Sequence, residues 1–174
     1  NERRSLVHLA SRRHPLATPT AWQGAVRDLW RRAKFREERY AACDLALDPR
    51  HARFVDLDAL PLFEEMIVAG AWWDFSDPLA THGVGRLLMD HPRPVAKQMR
   101  RWARSRDLWK RRSAIICQLR LGQDTDLGRL EECIAHNLDD EDFFIRKAIG
   151  WALRQYARTD AAWARRVVKK LGAR

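Results

Sequence analysis

The chain has 174 residues, 46% of them hydrophobic, so it is long enough to fold around a core and is not a disordered tail. Its formal net charge of +10 points to a polyanionic partner, nucleic acid before an acidic membrane surface. No apolar run approaches the roughly 20 residues that span a bilayer, and no signal peptide opens the sequence, so no membrane association is predicted.

Hydrophobic residues recur with the helical period along the whole chain, and the alternating Val-, Ile- and Thr-rich runs typical of strands are missing. The predicted helices cover residues 6–10, 21–33 (capped by Thr20), 35–47 (stopped by Asp48-Pro49), 58–69 (ending at Gly70), 78–89, 95–104, 108–121, 126–138, 143–158 and 161–171, with a junction at 72–77. Short connections favour antiparallel neighbours. The predicted fold is therefore all-α, a single domain over residues 1–174 of helical hairpins stacked into a superhelix.

Charge is distributed unevenly along the chain. Residues 91–120 carry ten Lys or Arg and one acid, Asp107, a local net charge of +9 when His is neutral. Residues 121–142 reverse the sign, with eight acids against Arg129. Because an ordinary solvated surface mixes its signs, we interpret the basic segment as a concave groove that follows a phosphate backbone. A basic face that only keeps the protein soluble is the simpler alternative.

The Cys, His and Gly residues indicate neither a disulfide scaffold nor a metal site. Cys43, Cys117 and Cys133 lie far apart in helical contexts, which is typical of reduced thiols in a cytoplasmic protein. The six His form no HExxH motif and no Cys/His pairing, so no metal ligands are predicted. The glycines of Gly83-Val84-Gly85 lack the third glycine of a nucleotide-binding loop, so no cofactor is predicted either.

The predicted helix at 143–158 has two different faces. One is an ordinary core stripe of Ile145, Ala148, Ile149, Ala152, Leu153 and Tyr156. The other carries Phe144, Lys147, Trp151, Arg154, Gln155 and Arg158. Trp151 on this polar face has two interpretations. It packs under a neighbouring helix with Arg stems covering it, or it is an aromatic platform inside a phosphate-binding stripe.

Two further positions have both a structural and a functional interpretation. Arg112 lies at the edge of an apolar stripe, where it either forms a structural salt bridge to Asp77 or Asp107 or points a cation at a phosphate. Asp77 precedes Pro78, which favours an N-cap role. The alternative is a carboxylate beside the tryptophans at 72–73 that stabilises a developing cation.

Four stretches resemble the AlkD-like family of DNA alkylation repair glycosylases, all-α proteins of HEAT-like repeats. They are FREERYAACDLAL (35–47), AWWDFSD (71–77), RWARSRDLWKRRSAIICQL (101–119) and DEDFFIRKAIGWALRQYAR (140–158). The likeness runs from about Trp30 to Arg158, and its last two motifs are quite specific. Family members usually carry additional N-terminal helices, whereas little precedes Arg3-Arg4 in this sequence; if those helices are absent, part of the DNA-facing groove is absent too.

The resemblance also implies a catalytic site. The family builds a cleft from two tryptophans, an aspartate and an arginine. By motif these are Trp73, four residues before Asp77; Arg112, the second Arg of KRRSAI; and Trp151 in IGW. Asp77 is then expected to stabilise positive charge on the deoxyribose and orient water. The two tryptophans are expected to pack against the sugar of the lesion. Arg112 is expected to hold the adjacent phosphate.

The function implied by the resemblance is a DNA glycosylase that hydrolyses the N-glycosidic bond of cationic N3- or N7-alkylated purines in duplex DNA, without base flipping. The alternatives are a non-catalytic HEAT-like module that binds DNA by shape and phosphate alone, and a protein-binding repeat scaffold. We expect DNA contacts from Arg104, Arg106, Lys110, Arg111, Lys147, Arg154 and Arg158. The expected partner is double-stranded DNA containing alkylated purines, bound by a monomer at the nucleoid of a bacterial cytoplasm.

Overall fold

The computed structural model describes residues 2–172, and every regular element in that range is helical. The α-helices are α1 (Glu2–Arg13), α2 (Pro19–Arg32), α3 (Arg36–Ala46), α4 (Leu60–Gly70), α5 (Trp73–Pro78), α6 (Gly85–Asp90), α7 (Pro92–Ala103), α8 (Leu108–Ile116), α9 (Leu127–Ala135), α10 (Phe143–Tyr156) and α11 (Ala161–Gly172). A π-helical segment, Leu79–Val84, joins α5 to α6. The all-α prediction is confirmed, and the arrangement is consistent with a superhelix of helical repeats. None of these helices combines the length and apolarity needed to cross a membrane.

Helix α8 lies at the centre of the fold. It packs against α4, α5, α7, α9 and α10. Its first turn is fixed by Asp107, whose side chain accepts a hydrogen bond from the backbone N–H of Lys110 at 2.9 Å. The helix is then buried from Arg112 to Ile116, including the fully enclosed Ile116. Helix α8, which contacts more of its neighbours than any other helix described here, therefore places the cationic side chain of Arg112 in the core.

Ion pairs connect positions about one helical repeat apart. The pairs are Arg3–Asp44, Arg36–Asp74, Asp77–Arg112 and Glu131–Lys170, with separations of 41, 38, 35 and 39 residues. These separations are close to the roughly 40 residues of a HEAT-type repeat. Each joins one helical hairpin to the next, so the polar contacts follow the same repeat as the buried apolar faces.

Several predicted helix limits are wrong. Thr18, and not Thr20, caps α2: its side chain accepts from the N–H of Ala21 at 3.1 Å, and Pro19 takes the first helical position. Helix α1 spans residues 2–13, longer than the predicted 6–10. Helix α8 ends at Ile116, before the predicted limit of 121, because the chain tightens into a turn over residues 117–120.

The predicted junction at 72–77 is also wrong, because the helix that begins at Trp73 continues through Pro78. The turn lies earlier, at Ala71, which has a left-handed φ of 44°, and at the extended Trp72. Pro78 keeps helical angles (φ −63°, ψ −38°) although it has no N–H to donate. The π-helical segment then widens the helix, as the bond from the Gly85 N–H to the Ala80 carbonyl shows. Asp77 is thus inside a helix and is not an N-cap.

Gly85 lets this helix touch the backbone of α8. A Cβ at position 85 would lie 2.6 Å from the carbonyl oxygen of Cys117, closer than any real contact. We expect Gly85→Ala to lower the free energy of unfolding by about 1–3 kcal/mol, because the two backbones must move apart. Gly24→Ala is the matched control, since a Cβ there meets nothing within 4 Å and a helical Ala is favoured. Urea unfolding of both variants measures the difference; equal stabilities would show that the contact is not tight.

Candidate active site

A cleft of about 420 Å³ opens between the helix that starts at Trp73 and helix α10. One wall carries Trp73, Asp77 and Thr81, spaced four residues apart and therefore on one helical face. The opposite wall carries Trp151 and Gln155 of α10. The structure thus brings together the two tryptophans and the aspartate that the sequence singled out.

Asp77 is held in a buried two-point ion pair with Arg112. The guanidinium Nε donates to Oδ1 and Nη2 donates to Oδ2, each at 2.7 Å. Nη1 donates to the backbone carbonyl of Phe144 at 2.5 Å. The side chains of Asp77 and Arg112 are only 10% and 6% exposed. Such a fork fixes the plane of the carboxylate. Oδ1 also accepts a hydrogen bond from the Ser76 hydroxyl at 3.3 Å, which leaves a lone pair on Oδ2 for a second partner.

This ion pair bears directly on the two interpretations of Arg112. The salt bridge to Asp77 is present, so Arg112 orients the carboxylate from the core side. Three of its five N–H donors are used by Asp77 and Phe144, which leaves at most two for a phosphate oxygen. Asp77 also reaches its neighbours: Thr81 donates to its backbone carbonyl at 2.8 Å. Its position is therefore set from both sides.

A second carboxylate, Asp74, also lines the cleft. Its Oδ2 accepts hydrogen bonds from Arg36 Nη2 at 2.6 Å and from the hydroxyl of Tyr40. Its Oδ1 is buried and has no hydrogen-bond partner. Arg36 and Tyr40 belong to α3, so this network ties α3 to the start of α5 behind Trp73. The contacts of Asp74 with Arg36 and Tyr40 were not predicted from the sequence.

The two tryptophans of the cleft differ in exposure. Trp73 is 47% exposed, whereas Trp151 is half-buried and packs in part against the core. Each interpretation of Trp151 therefore describes part of its side chain: one portion packs against the core and another lines the cleft. An exposed Trp beside a carboxylate offers a ligand both an aromatic face and a negative charge.

Half of the ten basic residues in 91–120 are ion-paired within the protein. Arg100 and Arg104 both pair with Glu132, Lys110 pairs with Glu64, Arg111 with Asp140, and Arg112 with Asp77. The acids at 132 and 140 come from the acidic segment that follows in sequence. The opposite charges of these two segments therefore meet across neighbouring helices, and part of the segregation along the chain is structural.

Among the residues that the structure describes, some of the exposed cations that form no ion pair lie on α10 near Trp151 or line the cleft, whereas others, such as Lys97 and Arg101, lie on α7. Lys147 and Arg154 are exposed and fall within about 60° of Trp151 on the helical wheel of α10. Arg158, in the turn that follows α10, is exposed too. Arg120, which follows α8, is exposed and lines the cleft itself. These four side chains are the cations best placed to meet a ligand in the cleft. Arg106 is exposed as well, at the loop before α8.

Sequence reasoning missed Arg120, His82 and Gln155 as cleft residues. His82 lies four residues after Pro78, so in a continuous helix the two residues share the face that lines the cleft. The sequence analysis placed a helix start at Pro78 and therefore did not connect His82 with Asp77. Partial burial lowers the pKa of His82, and the positive charge of Arg120 lowers it further, so its imidazole is neutral at pH 7. Gln155 was already on the polar face of α10. Arg120 gave no local signal, since it lies past the end of its helix.

The cysteines are not nucleophile candidates. Burial raises the pKa of Cys43 and of Cys133 to about 12, and it raises that of Cys117 too. All three are therefore protonated thiols at neutral pH. No group of His, Cys, Asp or Glu residues with the geometry of a metal site occurs within residues 2–172.

Comparison with known proteins relates this chain to one protein family and to solved structures. A family model described as "DNA alkylation repair enzyme" matches residues 1–174. A solved structure, "Predicted DNA alkylation repair enzyme from Enterococcus faecalis", superposes with a TM-score of 0.85 at 28% sequence identity, covering 97% of this chain and 78% of that one. None of the curated proteins matches the sequence.

Proposed function

Since the chain belongs to the DNA alkylation repair enzyme family, we propose that it is a DNA glycosylase for purines that carry a positive charge after N3 or N7 alkylation. The observation that carries the proposal is a cleft lined by Trp73, Trp151 and Asp77, whose carboxylate is held by the buried Arg112. All four residues come from one chain, so a monomer suffices. The expected partner is alkylated duplex DNA. In a bacterial cell this would be the chromosome, which lies in the cytoplasm.

The chemistry requires little acid catalysis. When the bond between C1′ and the purine nitrogen breaks, its electron pair goes to the base, and a cationic base leaves as a neutral molecule. Positive charge then develops on the deoxyribose. In this proposal the Asp77 carboxylate stabilises that charge, and its Oδ2 orients the attacking water. The water adds to C1′ and loses its proton through Asp77 to solvent.

The tryptophans would act on the same charge from the sides. The face of an indole ring attracts a cation, by about 0.5–2 kcal/mol depending on desolvation. Sugar carbons that become positive in the transition state therefore gain more from Trp73 and Trp151 than the neutral sugar does. An interaction that strengthens towards the transition state raises the rate and not only the affinity. The open cleft suits a lesion that remains stacked in the duplex, in keeping with the absence of base flipping.

Binding would depend on the cations that the fold leaves unpaired. In this proposal Lys147, Arg154, Arg158 and Arg120 contact phosphates on either side of Trp151. Arg104, Lys110 and Arg111 contribute less, because each would first have to give up an internal carboxylate. Arg112 orients Asp77 and has at most two donors left for the phosphate next to the lesion.

This division between free and paired cations predicts different salt dependences. Arg154→Ala is expected to reduce the slope of log K against log salt by about 0.9, because one phosphate contact is lost. Lys110→Ala is the control and should change the slope much less, since Glu64 pairs with Lys110 and, among the described residues, with no other cation. Fluorescence anisotropy with duplex DNA over a range of salt concentrations measures both. Equal slopes for the two variants would contradict the proposed DNA-binding face.

The leaving-group argument has its own test. The protein should release 7-methylguanine, which leaves as a neutral base, and should not release uracil from an otherwise identical duplex, because uracil needs stabilisation of a developing negative charge. Single-turnover assays on the two duplexes measure the rates. Efficient release of uracil would require an acid that the proposed site does not contain. Tight, salt-sensitive binding without release from either would favour the non-catalytic DNA-binding module.

A further inference from the structure

A cluster of aromatic rings lies beside the cleft and has no part in the proposed reaction. The ring of Phe144 lies 5.6 Å from Trp72, 5.1 Å from Trp109 and 5.5 Å from Phe143, centroid to centroid. Trp109 is buried, but Trp72 is 39% exposed and Phe143 is 62% exposed. We call the exposed side of this cluster, formed by Trp72, Phe143 and Phe144, the aromatic patch. Contiguous exposed rings of this kind are typical of a binding surface.

Cations flank the aromatic patch on both sides. The guanidinium carbon of Arg36 is 5.8 Å from the Trp72 ring centroid, and the Lys147 ammonium is 5.3 Å from the Phe143 ring centroid. Aromatic faces between cations match a strand that offers flat bases along a chain of phosphates. An apolar protein surface would gain nothing from these charges. The chemistry of the patch therefore favours a nucleobase as its occupant.

The aromatic patch and the cleft are parts of one surface. Phe144 and Trp151 lie seven residues apart on the same face of α10, which corresponds to about 10 Å along the helix axis. The carbonyl of Phe144 accepts a hydrogen bond from Arg112, which also holds Asp77. A strand whose sugar lies against Trp151 would pass the patch within about three nucleotides, at roughly 3.4 Å per nucleotide.

We infer that the aromatic patch binds an unstacked nucleobase of the DNA strand that occupies the cleft, about three nucleotides from the lesion. This inference rests on the proposed binding of DNA at the cleft. Phe143 is its main determinant, because it is the most exposed ring and lies at the start of α10. Stacking of a base on such a ring replaces the base–base contact that the duplex loses. The protein would then prefer DNA that is locally unpaired next to the damaged site.

The test compares duplexes that contain an abasic-site analogue and one unpaired nucleotide at successive distances from it. The wild-type protein should bind most tightly when the unpaired base is about three nucleotides away. The preference over the fully paired duplex should be roughly five- to a hundredfold. Phe143→Ala should remove this preference and Phe143→Trp should retain it. Met89→Ala, at another exposed apolar residue (54%), is the control and should behave as the wild type does.

Three results would overturn the inference. One is a wild-type protein without any preference for the unpaired nucleotide, and another is a Phe143→Ala variant with an undiminished preference. The third is self-association that Phe143→Ala abolishes in sedimentation experiments, which would make a second copy of the chain the occupant. A protein that binds none of the duplexes would contradict the proposed function as well, whereas unselective binding of all duplexes would contradict only the role of the patch.

Discussion

Asp77→Asn is expected to lower the single-turnover rate of base release by about a hundred- to a thousandfold while duplex DNA still binds. Asn has nearly the same shape as Asp but no negative charge, so it cannot stabilise a cationic sugar. DNA affinity should be retained because the exposed cations Lys147, Arg154 and Arg158 are unchanged. Rates of 7-methylguanine release and anisotropy with undamaged duplex, measured on the same preparations, separate the two effects.

Asp74→Asn is the matched control for this substitution. Asp74 lies three residues earlier and lines the same cleft, but Arg36 and Tyr40 already engage one of its oxygens. Asp74 has no direct part in bond cleavage in the proposed mechanism, so the Asp74→Asn variant should retain most of the rate of base release. Undiminished release by Asp77→Asn would remove Asp77 from the mechanism, and a larger loss in Asp74→Asn would assign the catalytic carboxylate to Asp74.

Arg112→Ala is expected to lower the free energy of unfolding by about 3–5 kcal/mol, because it leaves the buried carboxylate of Asp77 without its partner. For a chain of this size the melting temperature should fall by roughly 10 °C. Base release should fall too, since the carboxylate loses the fork that fixes its plane. Calorimetry and release assays below the melting temperature of the variant measure the two effects.

The double variant Asp77→Asn/Arg112→Gln separates stability from activity. With both charges removed, no unpaired charge is buried, so most of the stability lost in Arg112→Ala should return. Base release should remain absent because the carboxylate is gone. A double variant as unstable as Arg112→Ala would indicate that packing of the Arg stem, and not charge pairing, accounts for the loss. Wild-type stability in Arg112→Ala itself would show that the fork contributes little.

The helical class could be predicted from sequence because the apolar period is regular and strand patterns are missing. The core stripe predicted for α10 packs inwards: Ile145, Ala148 and Ala152 are buried, and Ile149, Leu153 and Tyr156 are partly buried against the core. The helix that carries Asp77 was predicted less well. Proline normally ends a helix, yet here the helix runs through Pro78 into the π-helical segment and on to Gly85, which lies close to the Cys117 carbonyl. These are tertiary effects, and no local pattern reports them.

The site residues that belong to a sequence motif could be predicted. The basic residues, which were identified by their charge alone, could not. Trp73, Asp77 and Trp151 meet in one cleft, as the family resemblance implied. The basic residues were harder, because a sequence lists charges without their partners. Arg104 and Arg111 belong to ion pairs with acids 28 and 29 residues away. Only the folded chain shows which cations are free, and it shifts the expected DNA contacts towards α10.

The most direct test of the central claim is to identify the products formed when the wild-type protein acts on duplex DNA containing 7-methylguanine. Chromatography with mass detection follows the free base, and alkaline cleavage of the strand follows the abasic site. If the protein is a glycosylase, we expect free 7-methylguanine and abasic sites in equal amounts. Restored guanine in an intact strand would contradict this claim, because the methyl group, and not the base, would then have been removed.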